Sequence, residues 1–124
     1  MSDSKGHIVV VDDEVDLANI LTETFEMEQY KVSEYHCAED ALKDIDSLGE
    51  VQVIISDAHM PGMGGMDFLK SLKEKNLKPF HFFLCTGDME ITEEELIAAG
   101  GTKLISKPYN LFDLIDVVKD ILES

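Results

Sequence analysis

Along the chain, short apolar runs alternate with apolar residues spaced three or four apart. Ile8–Val11 is an unbroken run of four β-branched residues, the pattern of a strand covered on both faces of a parallel sheet. Leu17, Ala18, Leu21 and Phe25 then mark one face of a helix. Lys31–Tyr35 (KVSEY) predicts a second strand, and its mixed polarity suits a sheet edge, where Lys and Glu discourage stray pairing. Ala38, Ala41, Leu42 and Ile45 follow at i, i+3, i+4 and i+7, an amphipathic helix. Val51–Ile55 (VQVII) is the third strand, and Met60–Gly65 (MPGMGG) is a loop that Pro and Gly keep out of regular structure. A helix is expected from about Gly65 to Lys75, and a fourth strand over Phe80–Cys85 (FHFFLC). Thr92 and Glu95 form a capping box for a short helix that stops at Gly100. Lys103–Ser106 is a short fifth strand, and Leu111, Leu114, Ile115, Val118 and Leu122 line a last helix.

Regular alternation of strand and helix implies an α/β fold: a parallel sheet, right-handed crossovers and helices on both faces. Residues 1–124 fit one such domain. In these folds ligands bind beyond the carboxyl ends of the strands, which directs attention to the residues that end each run.

Charge narrows the partners. The chain carries 26 Asp and Glu against 10 Lys and Arg, a net charge of −16. Direct binding to nucleic acid, a polyanion, is therefore not expected. Nor is docking on an anionic membrane, and no apolar run approaches the roughly 20 residues of a spanning helix. A small cation or a partner with a basic face is favoured. Two cysteines, Cys37 and Cys85, are too few for a disulfide framework, and with no leader-like start they read as reduced thiols of a cytoplasmic protein. Cys85 reads as a small buried hydrophobe.

Asp12 and Asp13 end the first strand, Asp57 the third, Thr86 the fourth and Lys107 the fifth. One acid after a strand is an ordinary helix cap, but this topology carries all five residues to one rim. Two like charges 4 Å apart repel by about 4 kcal/mol at an effective dielectric of about 20. A divalent cation removes that cost, and Asp12, Asp13 and Asp57 match the demand of Mg2+ for a few carboxylates, water and a phosphate oxygen. A carboxylate is also a nucleophile toward phosphorus, and Asp57 is the best placed. The Lys107 ammonium and Thr86 hydroxyl would hold phosphoryl oxygens. The Lys107–Pro108 bond is expected to be cis, aiming the lysine into the site. His59 lacks partners at zinc-ligand spacing. Met60, Met63 and Met66 read as packing, and Phe82 and Phe83 as residues on opposite faces of a strand.

With these pieces in place, IVVVDD (8–13), IISDAHMPGMGGMDFL (54–69), FFLCTGD (82–88) and ISKPY (105–109) resemble the receiver domain of two-component response regulators, chemotaxis regulators included. The resemblance spans about His7 to Leu122. It implies a flavodoxin-like three-layer sandwich, a five-stranded parallel sheet in the order 2-1-3-4-5 with five helices. It implies that Asp57 takes a phosphoryl group from a histidine kinase or a histidine phosphotransfer protein. Mg2+ would be held by Asp12, Asp13, Asp57 and the His59 main-chain carbonyl. Contact of Thr86 with the phosphoryl group would shift a face read by a downstream effector protein. Such a domain catalyses only its own phosphorylation and dephosphorylation and is not an enzyme in the ordinary sense.

Three positions depart from the family's usual pattern. Leu104 stands where many receivers place an aromatic switch residue coupled to the threonine. His59 lies two residues after Asp57, and Asp88 two after Thr86, where side chains tune loss of the phosphoryl group. Rival readings fare worse. A haloacid-dehalogenase-type phosphatase needs an acid where His59 stands. A flavodoxin-type flavin protein needs a small-residue phosphate loop where Asp12-Asp13-Glu14 would repel phosphate. A pseudo-receiver that binds partners without phosphorylation would not need the complete set of Asp12, Asp13, Asp57, Thr86 and Lys107.

Overall fold

A computed structural model describes residues 5–87 and 90–123. Five strands, His7–Val11 (β1), Lys31–Tyr35 (β2), Val53–Asp57 (β3), His81–Thr86 (β4) and Lys103–Ser106 (β5), form one sheet in the order β2-β1-β3-β4-β5. Every pairing is parallel. The helices are Val15–Met27 (α1), Ala38–Asp44 (α2, continued by a 3-10 turn at Ile45–Ser47), Gly65–Lys73 (α3), Glu93–Ala98 (α4) and Leu111–Glu123 (α5).

Alternation along the strands sorts the core into two layers. Val9, Val11, Ile54, Phe82 and Leu84 point to one face, under Ala38 and Ala41 of α2, Phe68, Leu69 and Leu72 of α3, and Leu96 of α4. Ile8, Val10, Ile55, Phe83 and Cys85 point to the other, under Ala18, Leu21 and Phe25 of α1 and Leu114, Ile115 and Val118 of α5. This is the three-layer sandwich, and Phe82 and Phe83 do part to opposite sides. Met60 is buried, with Met63 and Met66 packed on the same cluster. A fully buried side chain of this size contributes about 1.5–3 kcal/mol, so both layers contribute to stability.

Local chemistry sets the helix starts. The Asn110 side chain accepts from the amides of Phe112 and Asp113 at 2.9 and 3.2 Å and opens α5. Thr92 accepts from the Glu95 amide at 3.1 Å, while the Glu95 carboxylate takes the Thr92 hydroxyl at 3.3 Å, a variant of the expected box.

Three boundaries differ from the sequence reading. β3 covers Val53–Asp57 rather than Val51–Ile55. Its ladder with β1 starts at the Ile8–Val53 pair, and it continues through Ser56 and Asp57, which pair with Leu84 and Cys85. Apolar runs report burial, whereas strands are made by pairing, so a polar but buried end such as Ser56 escapes the pattern. For the same reason β4 is His81–Thr86 rather than Phe80–Cys85: Thr86 pairs with Ser106. α3 ends at Lys73, two residues short of Lys75.

Candidate functional site

The strand exits build the site. At the end of β1, Asp12 turns the chain: its amide donates to the Tyr35 carbonyl at 3.1 Å and its carboxylate accepts the Glu14 amide at 2.9 Å. Asp57 is the last residue of β3. The next amide, of Ala58, donates to the Cys85 carbonyl at 2.8 Å and holds that exit against β4. Gly65 then passes so close that a Cβ there would lie 2.5 Å from the Asp57 carbonyl oxygen, which glycine alone permits without displacement. Thr86 ends β4, and its carbonyl accepts the Lys107 amide at 2.8 Å, seating the exit of β5 beside it. The Lys107–Pro108 bond is cis.

One atom of each of Asp12, Asp13 and Asp57 lies within 4.8 Å of the others. Lys107 Nζ is 3.1 Å from Asp57 Oδ1, 3.9 Å from Asp12 Oδ2 and 3.8 Å from Glu14 Oε1. Asp12, Asp57 and Thr86 are buried, at 4, 7 and 4% exposure, whereas Asp13 is exposed. An open cavity of about 350 Å3 is lined by Lys107, Glu14, Leu17, Pro108 and Tyr109.

Crowding and burial leave the acids under-neutralised. Burial pushes the Asp12 carboxyl up from 3.8 to about 6, against the Glu14 amide and Lys107, while the charge on Asp57 adds to the rise. Burial also raises Asp57, opposed by its hydrogen bond to Lys107 and that residue's charge. Burial alone would lower Lys107, but its bond to Asp57 and the surrounding carboxylates outweigh it and raise the ammonium. Oxygen donors held together at this cost fit a hard divalent ion.

The fold thus brings together Asp12, Asp13, Asp57 and Lys107, with Thr86 at the neighbouring exit. His59, two residues on from Asp57, is exposed. Leu104 is half-buried against the layer under α2, α3 and α4, and its amide donates to the Glu93 carboxylate at 3.0 Å. Asp88 lies outside the described residues. Two contributors escaped sequence reading. Glu14 was legible as a third acid, but not as the amide that binds Asp12 and a carboxylate near Lys107. Tyr109, in the ISKPY stretch, lines the cavity, and its buried hydroxyl makes no hydrogen bond to the described residues.

The family model for the response regulator receiver domain matches residues 8–119. The chain belongs to this family. Curated relatives of the receiver include the response regulator SaeR of Staphylococcus epidermidis, 30% identical over 109 residues, 88% of this chain and 47% of that protein. The regulatory protein VanR of Enterococcus faecium is 32% identical over 113 residues, 90% of this chain and 48% of VanR. The receiver therefore spans about half the length of these relatives. Among solved structures, the chemotaxis protein CheY4 of Vibrio cholerae shares the fold with a TM-score of 0.85 at 24% identity, covering 94% of this chain and 98% of CheY4. The response regulator TrrA of Thermotoga maritima, solved in complex with Mg2+-BeF, has a TM-score of 0.79 at 28% identity over 94% of this chain and 98% of its own. Among the described residues of the receiver, no helix is long and apolar enough to cross a membrane.

Proposed function

We propose that this receiver is a phosphoacceptor switch in which Asp57 takes a phosphoryl group from the phosphohistidine of a histidine kinase or a histidine phosphotransfer protein. The observation that carries the reading is Lys107 Nζ, 3.1 Å from Asp57 Oδ1 inside a group of carboxylates. An Asp57 carboxylate oxygen attacks phosphorus, the P–N bond breaks, and the departing imidazole takes its proton from solvent. Lys107 stays beside the acceptor and neutralises charge on the transferring oxygens, with the Thr86 hydroxyl as a second donor. Asp12, Asp13, Asp57 and the His59 main-chain carbonyl would hold Mg2+. Bound there, the ion would offset carboxylate charge and polarise the phosphoryl group. The Mg2+-BeF complex of TrrA, a relative of the same fold, supports that assignment.

Thr86 and Leu104 form the switch, and the effector reads the face of α4 and β5. Thr86→Ala is expected to weaken effector binding more than Leu104→Ala, measured with phosphorylated protein. His59 and Asp88 set how long the phosphoryl group survives. The acidic surface keeps the domain off nucleic acid and anionic lipid, and it works in the cytoplasm, where kinase and effector meet. Incubation with Mg2+ and a small acyl phosphate is expected to add one phosphoryl mass to the wild type and none to Asp57→Asn. An equal gain in the variant refutes the reading.

A further inference from the structure

The loop that leaves Asp57 is tied down at three points, and one of them comes from across the fold. At its ends, the Ala58 amide bonds to the Cys85 carbonyl at 2.8 Å, and the Gly65 amide returns to the Ala58 carbonyl at 2.9 Å. The middle is held by Glu39, the second residue of α2, whose Oε2 accepts the Met63 amide at 3.1 Å across 24 residues of sequence. The same carboxylate sits against Gly62. A Cβ there would stand 2.5 Å from Glu39 Oε2, and Gly62 has φ +80, a backbone region open to glycine. Two successive residues of the loop thus lie against one side chain. Beneath, Met60 and Met63 pack on the cluster that contains Ala38 and Ala41 of α2. Loop and helix are therefore joined by one hydrogen bond and a shared apolar cluster.

His59 sits between the pinned Ala58 and the Glu39-bound segment. Its carbonyl has no side-chain freedom, so only the loop's backbone path sets where it points. We propose that Glu39 is a positioning residue: its carboxylate oxygen fixes the 59–63 backbone and thereby the cation-binding geometry beside Asp57. This rests on the functional reading above and extends it to a residue on a different helix, itself outside the carboxylate group. A charged acceptor holding a backbone amide is stronger than a neutral one, but the role requires only an acceptor oxygen.

Mg2+ titration of the intact protein, followed by amide NMR shifts, tests this alongside hydrogen exchange at Met63. In Glu39→Ala the Met63 amide should exchange at least about tenfold faster, and Mg2+ should bind about three- to tenfold more weakly. Circular dichroism checks that each variant is folded. Glu39→Gln removes the charge but keeps an acceptor, and should recover most of the affinity. Equal weakening in both variants would show that only charge matters and overturn the proposal. Wild-type Mg2+ affinity in Glu39→Ala would overturn it too, leaving the functional reading intact. Failure of the wild type itself to bind Mg2+ would instead refute the functional reading beneath it.

Discussion

The two ends of the sheet bury polar groups in opposite ways. At the amino end, His7 is buried, but its amide and ring have neutral partners: the amide donates to Gln52 Oε1 at 2.6 Å and ring Nε2 meets Ser33 Oγ at 2.7 Å. At the carboxyl end, Asp12 and Asp57 are equally buried, and Lys107 stands among Asp12, Asp57 and Glu14 with Asp13 close by. One end closes the core at little electrostatic cost. The other holds like charges together, which stability alone does not reward. Burial of a polar group is therefore a weak sign of function, whereas burial of like charges without matched partners is a strong one.

Removing the counter-charge at the carboxyl end should have the largest effect. Lys107→Met leaves Asp57 and Asp12 buried without their ammonium. It is expected to cost about 3 kcal/mol of stability at pH 7.5 without metal, and to slow phosphoryl uptake at least about a hundredfold. Chemical denaturation and timed mass spectrometry read the two effects. The stability loss should shrink toward pH 4.5, where Asp12, with its folded pKa of about 6, is protonated in the folded chain and no longer needs a counter-charge.

Asp12 gives the next effect, with the opposite sign. Its folded pKa of about 6 exceeds the ordinary 3.8. The folded protein holds that proton more tightly, so stability is full below about pH 4 and declines as pH rises through about 6. Without metal at pH 7.5, Asp12→Asn should therefore stabilise the fold by about 2 kcal/mol, a gain that fades toward pH 4. Mg2+ should raise the melting temperature of the wild type more at pH 7.5 than at pH 5, and that gain should fall in Asp12→Asn. A metal response independent of pH would count against Asp12 as a ligand.

The amino end should respond least, and in the other pH direction. Burial and then the Lys31 charge lower the His7 pKa from 6.5. Its contribution is present above pH 6.5 and lost as pH falls through the lower folded value. His7→Gln should cost about 1 kcal/mol at pH 7.5 and leave Mg2+ affinity unchanged. A change in metal affinity would show that the two ends are coupled.

Much of this contrast was legible in the sequence, for identifiable reasons. Asp12, Asp57, Thr86 and Lys107 each end an apolar run, and alternation forces parallel strands whose ends share a rim. The two-residue error in β3 did not displace Asp57, because the exit, not the start, of a strand fixes the site. Contacts made across the fold were not legible. Nothing near Glu39 announces a bond to Met63, 24 residues away. The pairing at the amino end is hidden likewise, since His7, Ser33 and Gln52 meet only once β1, β2 and β3 align.

In the proposed function, the carboxyl-end acids serve to make an acyl phosphate at one residue, Asp57. Hydride reduction after treatment with Mg2+ and a small acyl phosphate converts an aspartyl phosphate to homoserine, and peptide sequencing then locates it. Homoserine is expected at position 57 alone, dependent on Mg2+ and lost in Lys107→Met. Homoserine at another acid, or undiminished labelling without a divalent cation, would contradict that function.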